Sequence, residues 1–221
     1  MKNKGLFIVI DGTDGSGKAT QTKIIKDHLL TRKFDVELMD FPQYGSPGAA
    51  MVEEYLNGRL GKLEDIDAYQ ASILFAIDRF SAATKIRRYL SENKIVIANR
   101  YTSSNIGHQA GKIQNKTERE KFIKWLLDLE YDILKLPVPD KTILLYLDPA
   151  VGQKRVGKKG YRSYLKGKKS DIHEDSIDHL SKAAKAYKEV AVKQGWTIIN
   201  ADQTIEQVTQ DIITVLNDIL I

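Results

Sequence analysis

Five short apolar runs recur along this 221-residue chain: Leu6–Ile10, Val36–Met39, Ile95–Ala98, Thr142–Leu147 and Thr197–Ile199. Each is bounded by polar or turn residues, and helical patterns lie between them. The runs are unbroken rather than alternating, which is the signature of strands buried on both faces. Strands alternating with helices predict a five-stranded parallel sheet with helices on either side, a three-layer α/β/α arrangement. Ligands of such sheets bind outside the carboxyl ends of the strands. The residues that follow each run therefore carry the search for function.

The first run leads into Gly12-Thr13-Asp14-Gly15-Ser16-Gly17-Lys18-Ala19-Thr20, and a helical pattern begins near Lys18. This is the spacing of a phosphate-binding P-loop. Backbone N–H groups at the helix N-terminus converge on phosphate oxygens, and Lys18 adds a point charge beside them. Ala19 stands where the pattern has Ser or Thr, whose hydroxyl helps to hold Mg²⁺. The plainer alternative is a Gly-rich turn between a strand and a helix with no ligand.

Composition narrows the class. The apolar fraction is 42% and there are no cysteines, so disulfides, thiolate metal sites and a Cys nucleophile are excluded. The apolar stretch before Asp11 is too short for a signal-peptide core, and no run approaches a membrane span. A soluble cytoplasmic protein without membrane contact is the expectation. The net charge of +5 is local: eight cations and no acids fall between Lys154 and Lys169, leaving 26 cations against 29 acids elsewhere. Such a segment could hold a polyphosphate, bind RNA or form a solvated loop. It has little aromatic interleaving beyond Tyr161 and Tyr164, so no nucleic-acid partner is expected. The chain reads as one domain, 1–221, with this segment as a short lid at about 152–175. Four histidines are scattered without metal-ligand spacing, so no structural metal is assigned.

Other residues gather at the same sheet edge. Asp40-Phe41-Pro42-Gln43-Tyr44-Gly45 follows the second run, and Asn99-Arg100-Tyr101 follows the third. Ser104, Asn105, His108 and Gln109 come next, at what reads as a helix start where Ser103 or Ser104 could cap. Phe75 and Arg79 are four apart on a helix of about 66–90 and so share a face. An aromatic plane beside a guanidinium could hold a base and a phosphate. Equally, Phe75 could be core and Arg79 a surface cation paired with Asp78.

Taken in order, these segments resemble the thymidylate kinase family of P-loop enzymes. The resemblance rests on Asp11 to Lys18, Phe41-Pro42-Gln43-Tyr44-Gly45, Leu74 to Arg79, Asn99-Arg100-Tyr101, Ser104-Asn105 and Leu136-Pro137-Val138-Pro139-Asp140. It covers nearly the whole chain. It implies a P-loop NTPase fold and ATP-dependent phosphorylation of dTMP to dTDP, with Mg²⁺ and a homodimer through helices that include 66–90.

The resemblance also implies roles. Residues 12–20 with Lys18 would cradle the ATP phosphates. Asp14 would face the acceptor's 3′-hydroxyl or the metal region. Phe41, Pro42 and Tyr44 would close on the acceptor near its sugar. Phe75 would stack on thymine, and Arg79 would touch the base edge or its neighbourhood. Ser104, Asn105 and Gln109 would line the base site, and Arg100 would bind the monophosphate. With glycine at position 15, the arginine that some members carry in the loop would come from the lid, where Arg155 and Arg162 are candidates.

Three departures accompany it. Ala19 lacks the metal-binding hydroxyl, Asn99 replaces the common Asp, and Gln43 replaces a common Arg. Asp11 and Asp14 are the candidate acids for Mg²⁺. Two other readings stay open: a kinase of another nucleotide or nucleoside, and a nucleotide-binding protein with impaired catalysis.

Overall fold

The computed structural model describes residues 5–156, 173 and 176–220. Five strands form one parallel sheet: β1 (Leu6–Gly12), β2 (Val36–Asp40), β3 (Ile95–Asn99), β4 (Lys141–Tyr146) and β5 (Thr197–Asn200), in the order β2-β3-β1-β4-β5. Each strand coincides with one of the five apolar runs to within a residue or two at its ends. The helices are α1 (Lys18–Thr31), α2 (Ala50–Leu56), α3 (Ala68–Ser91), α4 (Thr102–Ala110), α5 (Lys116–Leu127), α6 (Pro149–Val156), α7 (Ile177–Lys193) and α8 (Ile205–Asn217).

The two-residue strand period explains why the runs are unbroken. Ile8 and Ile10 of β1 point to one face, where they meet Ile25 and Leu29 of α1 and Ile212 of α8. Phe7 and Val9 point to the other and meet Ala82, Ala83 and Ile86 of α3 with Tyr101. All four β1 residues are fully buried, each contributing about 1.5–3 kcal/mol of apolar transfer.

Local chemistry sets where α3 begins. Asp67 accepts from the Gln70 backbone while the Gln70 side chain accepts from the Asp67 N–H, a reciprocal capping box. Two close approaches then fix the layers around the phosphate loop. Gly107 of α4 lies against the Tyr187 ring of α7, with no room for a Cβ. Gly15 adopts a left-handed φ of 79°, and a Cβ there would stand 2.5 Å from the Gly152 carbonyl oxygen of α6. The helix that leads into the basic segment is therefore seated directly on the phosphate loop.

Candidate active site

The loop after β1 closes on itself and on β4. Thr13 Oγ1 donates to the Leu147 carbonyl at 2.8 Å and accepts from the Leu147 N–H at 3.0 Å. Lys18 Nζ folds back to donate to the Gly12 and Thr13 carbonyls, both at 2.9 Å. Gly17 precedes α1 with a φ of 87° and open space where a side chain would be. Ser16 Oγ is buried with no partner among the described residues. This is a preformed anion cradle: an unoccupied hydroxyl, a lysine and the N-terminal amides of a helix.

Asp11, expected from sequence as a candidate acid for Mg²⁺, is held in a dense hydrogen-bond network. It is fully buried. Its Oδ1 accepts from the Gly12 N–H at 2.7 Å, Ser104 Oγ at 2.8 Å and Tyr187 Oη at 3.2 Å, while Ser103 Oγ donates to Oδ2. Most of its lone-pair capacity is engaged in bracing β1 against α4 and α7. Burial, and then the Asp11 charge, raise the Tyr187 phenol well above its ordinary range, so it stays a donor.

Arg100 leaves β3 with a left-handed φ of 68°, a conformation that costs a non-glycine residue about 1–3 kcal/mol. The strain points the guanidinium across the sheet edge. Nη2 donates to Asp14 Oδ1 at 2.5 Å, and Nη1 lies 3.2 Å from both Ser104 Oγ and His108 Nε2. Burial is the largest single influence and opposes its charge, but Asp14, Tyr187, Asp11 and Tyr44 together outweigh it and the pKa rises above the usual arginine range.

Arg79 lines the cavity described below, and it is not the surface partner of Asp78 that the alternative reading expected. It is 2% exposed and forms a two-pronged pair with Glu130, Nε to Oε2 at 2.7 Å and Nη2 to Oε1 at 2.5 Å. Glu130, also fully buried in the π turn Asp128–Ile133, further accepts from Thr102 Oγ1 at 2.7 Å and Asn105 Nδ2 at 3.0 Å. Asp78 instead accepts from the Gln43 backbone N–H at 3.1 Å and from its side-chain amide at 3.3 Å. Gln43 thus fastens the loop after β2 to α3. On that loop the Phe41–Pro42 peptide is cis.

These elements enclose a cavity of about 750 Å³, within the ordinary range for small-molecule sites. Asp14, Phe41, Pro42, Tyr44, Phe75, Arg79, Arg100, Ser104, Asn105 and Gln109, all expected from sequence at the acceptor site, line it together. So do Ala19, Asp40, Asn99, His108 and His173. Gln109 is fully buried, and both atoms of its amide, like Asn105 Oδ1, have no partner among the described residues. Asp40 accepts from Asn99 Nδ2 at 2.8 Å, which returns a carboxylate to the edge that Asn99 leaves neutral.

Arg155 is not brought to the phosphate loop. It donates to the Ala201 carbonyl at 3.1 Å and to Asp202 at 3.0 Å. Arg162 and most of the expected lid lie outside the described residues.

Sequence reasoning missed Glu130 and the meeting of His108, His173 and His179. One nitrogen from each of the three rings lies within 4.8 Å of the others. Burial holds all three imidazoles below their ordinary pKa, His179 at about 4. Long-range packing, not local spacing, assembles them.

The comparisons agree with this geometry. A family model described as thymidylate kinase matches residues 10–212. A thymidylate kinase of Bifidobacterium longum subsp. infantis is 30% identical, over 97% of this chain and 88% of its own length. One from Mycobacterium tuberculosis is 29% identical, over 86% of this chain and 87% of its own. The solved thymidylate kinase of Candida albicans superposes with a TM-score of 0.73 at 25% identity, covering 97% of this chain and 92% of that one. With a P-loop at the head of a 2-3-1-4-5 parallel sheet and a matching model along nearly its whole length, this chain belongs to the thymidylate kinase family.

Proposed function

We propose that this chain transfers the γ-phosphoryl group of ATP to the 5′-phosphate of dTMP, giving dTDP and ADP. The observation that carries the reading is the row of unpartnered amide atoms in the acceptor cavity. Asn105 Oδ1 can accept from thymine N3–H, and Gln109 can donate to a ring carbonyl. Buried polar atoms are normally satisfied, so these await a ligand with the reciprocal pattern. Phe75, at the cavity wall, offers a stacking face.

Arg100, already pre-aimed by its backbone and by Asp14, binds the acceptor phosphate. Lys18 exchanges the loop carbonyls for β- and γ-phosphate oxygens. Arg79, at the cavity wall, also orients Asn105 through their shared Glu130. Transfer of this kind depends on alignment and on cations over the migrating group rather than on covalent help. The segment about 152–175 acts as the lid of a single catalytic domain.

Asp14 and Asp40, two carboxylates lining the same cavity, would hold Mg²⁺ together with water, since this ion keeps several waters when bound, and it would supply neutralisation of charge on the transferring group. Asp11 serves as a brace rather than a ligand. A homodimer is supported by the outer face of α3, where Ile73, Ile77 and Phe80 are 44–52% exposed on one stripe. No helix among the described residues is long and apolar enough to cross a membrane, which is compatible with the proposed cytoplasmic location.

The test is ADP production from Mg-ATP with dTMP, dUMP, dCMP, dGMP, UMP and thymidine. The reading expects dTMP to give the highest kcat/KM. Turnover with thymidine but not dTMP would favour a nucleoside kinase, and tight binding without turnover would favour a non-catalytic relative.

A further inference from the structure

We propose that His108, His173 and His179 form a binding site for one first-row transition-metal ion of the Zn²⁺ class. The three residues come from different parts of the chain: His108 from α4, His179 from the first turn of α7, and His173 from just before it. All are buried, at 8%, 6% and 4% exposure. The His108 ring stacks on His173 at 5.3 Å and 26°, and on His179 at 5.7 Å and 23°. Ring packing alone could gather imidazoles in this way. It does not account for their nitrogens: His108 Nδ1 and His179 Nε2 are both buried with no partner among the described residues. Desolvated polar atoms are rarely left so, and two in one cluster point to a missing ligand.

The chemistry of the site selects the ion. Metal ligation needs neutral imidazole, and the three rings are buried together. Nitrogen donors suit Zn²⁺, Ni²⁺, Co²⁺ and Cu²⁺, whereas Mg²⁺ prefers oxygen. Zn–N bonds of about 2.0–2.1 Å in a tetrahedron place ligand nitrogens about 3.3 Å apart. The rings need close by no more than about 1.5 Å from their present limit of 4.8 Å. His173 Nε2 lies 2.9 Å from Tyr55 Oη, which in turn accepts from Lys112 at 3.0 Å. That contact is the outer-shell support that orients a ligating ring.

Three histidines leave the fourth position to water or to a small oxygen ligand, as in open zinc sites. Arg100 donates to His108 Nε2, and a guanidinium has no acceptor, so the His108 proton sits on Nδ1. Ligation through either nitrogen releases Arg100 from this contact, leaving it Asp14 and Ser104. Arg100 and Lys112 are like charges beside the ion, so the site binds less tightly than a closed structural zinc centre.

The test uses the full chain, stripped with EDTA and titrated with Zn²⁺ in excess Mg²⁺. One equivalent should bind. His108→Ala, His173→Ala and His179→Ala should each weaken it about a hundred-fold or more, and Tyr55→Phe about ten-fold, given what outer-shell partners alone contribute. His28→Ala, changing the one remaining histidine, should leave affinity unchanged. Equal affinity in wild type and all three cluster variants overturns the proposal. Should those variants not fold, wild-type crystals soaked in Zn²⁺ decide: anomalous density between the three rings supports the site, and density only elsewhere, or none, overturns it.

Discussion

Arg100 Nη2 and Asp14 Oδ1 stand 2.5 Å apart, tying the end of β3 to the middle of the phosphate loop. The two residues are 86 positions apart in the chain, yet both line one cavity. Arg100 faces the acceptor cavity, and Asp14 is flanked by Lys18 at 3.8 Å. The end of β3 and the loop after β1 are thus coupled through this ion pair.

Arg100→Ala should weaken use of the monophosphate and spare ATP. A charge-assisted hydrogen bond contributes about 1.5–3 kcal/mol, so KM for dTMP should rise about 10–150-fold. Steady-state kinetics with each substrate varied in turn checks this. Equal losses for both substrates would mean that Arg100 serves the loop rather than the acceptor.

Glu130→Gln should strand the Arg79 charge in the core. Breaking a buried pair costs about 3–5 kcal/mol, which lowers the melting temperature by about 6–20 °C for a domain of this size. Replacing both partners, Arg79→Met with Glu130→Leu, should recover much of that loss while still impairing the base site through Asn105. Thermal unfolding and dTMP affinity, measured on both variants, separate the two effects.

The Asp78 carboxyl has its pKa raised by burial, with the Gln43 hydrogen bonds and Arg79 opposing. A raised pKa means that the folded state holds the proton longer than the unfolded chain does. The associated stability is present below the unfolded Asp value of about 3.9 and is lost as pH rises through the folded value. Asp78→Asn keeps an acceptor for Gln43 and removes the titration. Its stability relative to wild type should therefore climb between pH 4 and pH 7, in denaturant unfolding at a series of pH values. A constant difference would show that Asp78 does not contribute to the pH profile.

Ala19 is exposed at the cavity wall beside Asp14. Ala19→Ser restores the hydroxyl that P-loops commonly turn toward the metal. The concentration of Mg²⁺ needed for half-maximal rate should fall, with little change in KM for dTMP. An unaltered Mg²⁺ dependence would show that Asp14, Asp40 and water already suffice.

Arginines positioned over a transferring phosphoryl group contribute about 10³–10⁵ in rate. Arg155 is engaged with Ala201 and Asp202, so Arg162→Ala should cost more turnover than Arg155→Ala. Single-turnover rates at saturating dTMP make the comparison. The reverse order would assign the transfer to Arg155 and require it to leave Asp202.

The sheet was legible because buried parallel strands write themselves as unbroken apolar runs, and α3 because a helical pattern runs through about 66–90. The acceptor cavity was legible where short motifs follow strands. Glu130 was not, since Asp128-Leu129-Glu130-Tyr131-Asp132 reads like any solvent-facing turn and its partner Arg79 is 51 residues away. The side-chain partners of Asp11 were illegible for the same reason: they come from α4 and α7. The histidines escaped notice because 65 residues separate His108 from His173, and only the close packing of α4 on α7 brings their layer together.

The contact between Gly15 and Gly152 ties two choices that look independent in the chain. An arginine at position 15 would have to displace the backbone of α6, and a bulkier residue at 152 would press on the carbonyl of Asp14. Neither site can be exchanged alone. Adding a side chain to the loop at position 15 would first require relocating the helix after β4. The loop and the helix that sits on it are thus fitted to each other by a pair of absences, one on each side of the contact.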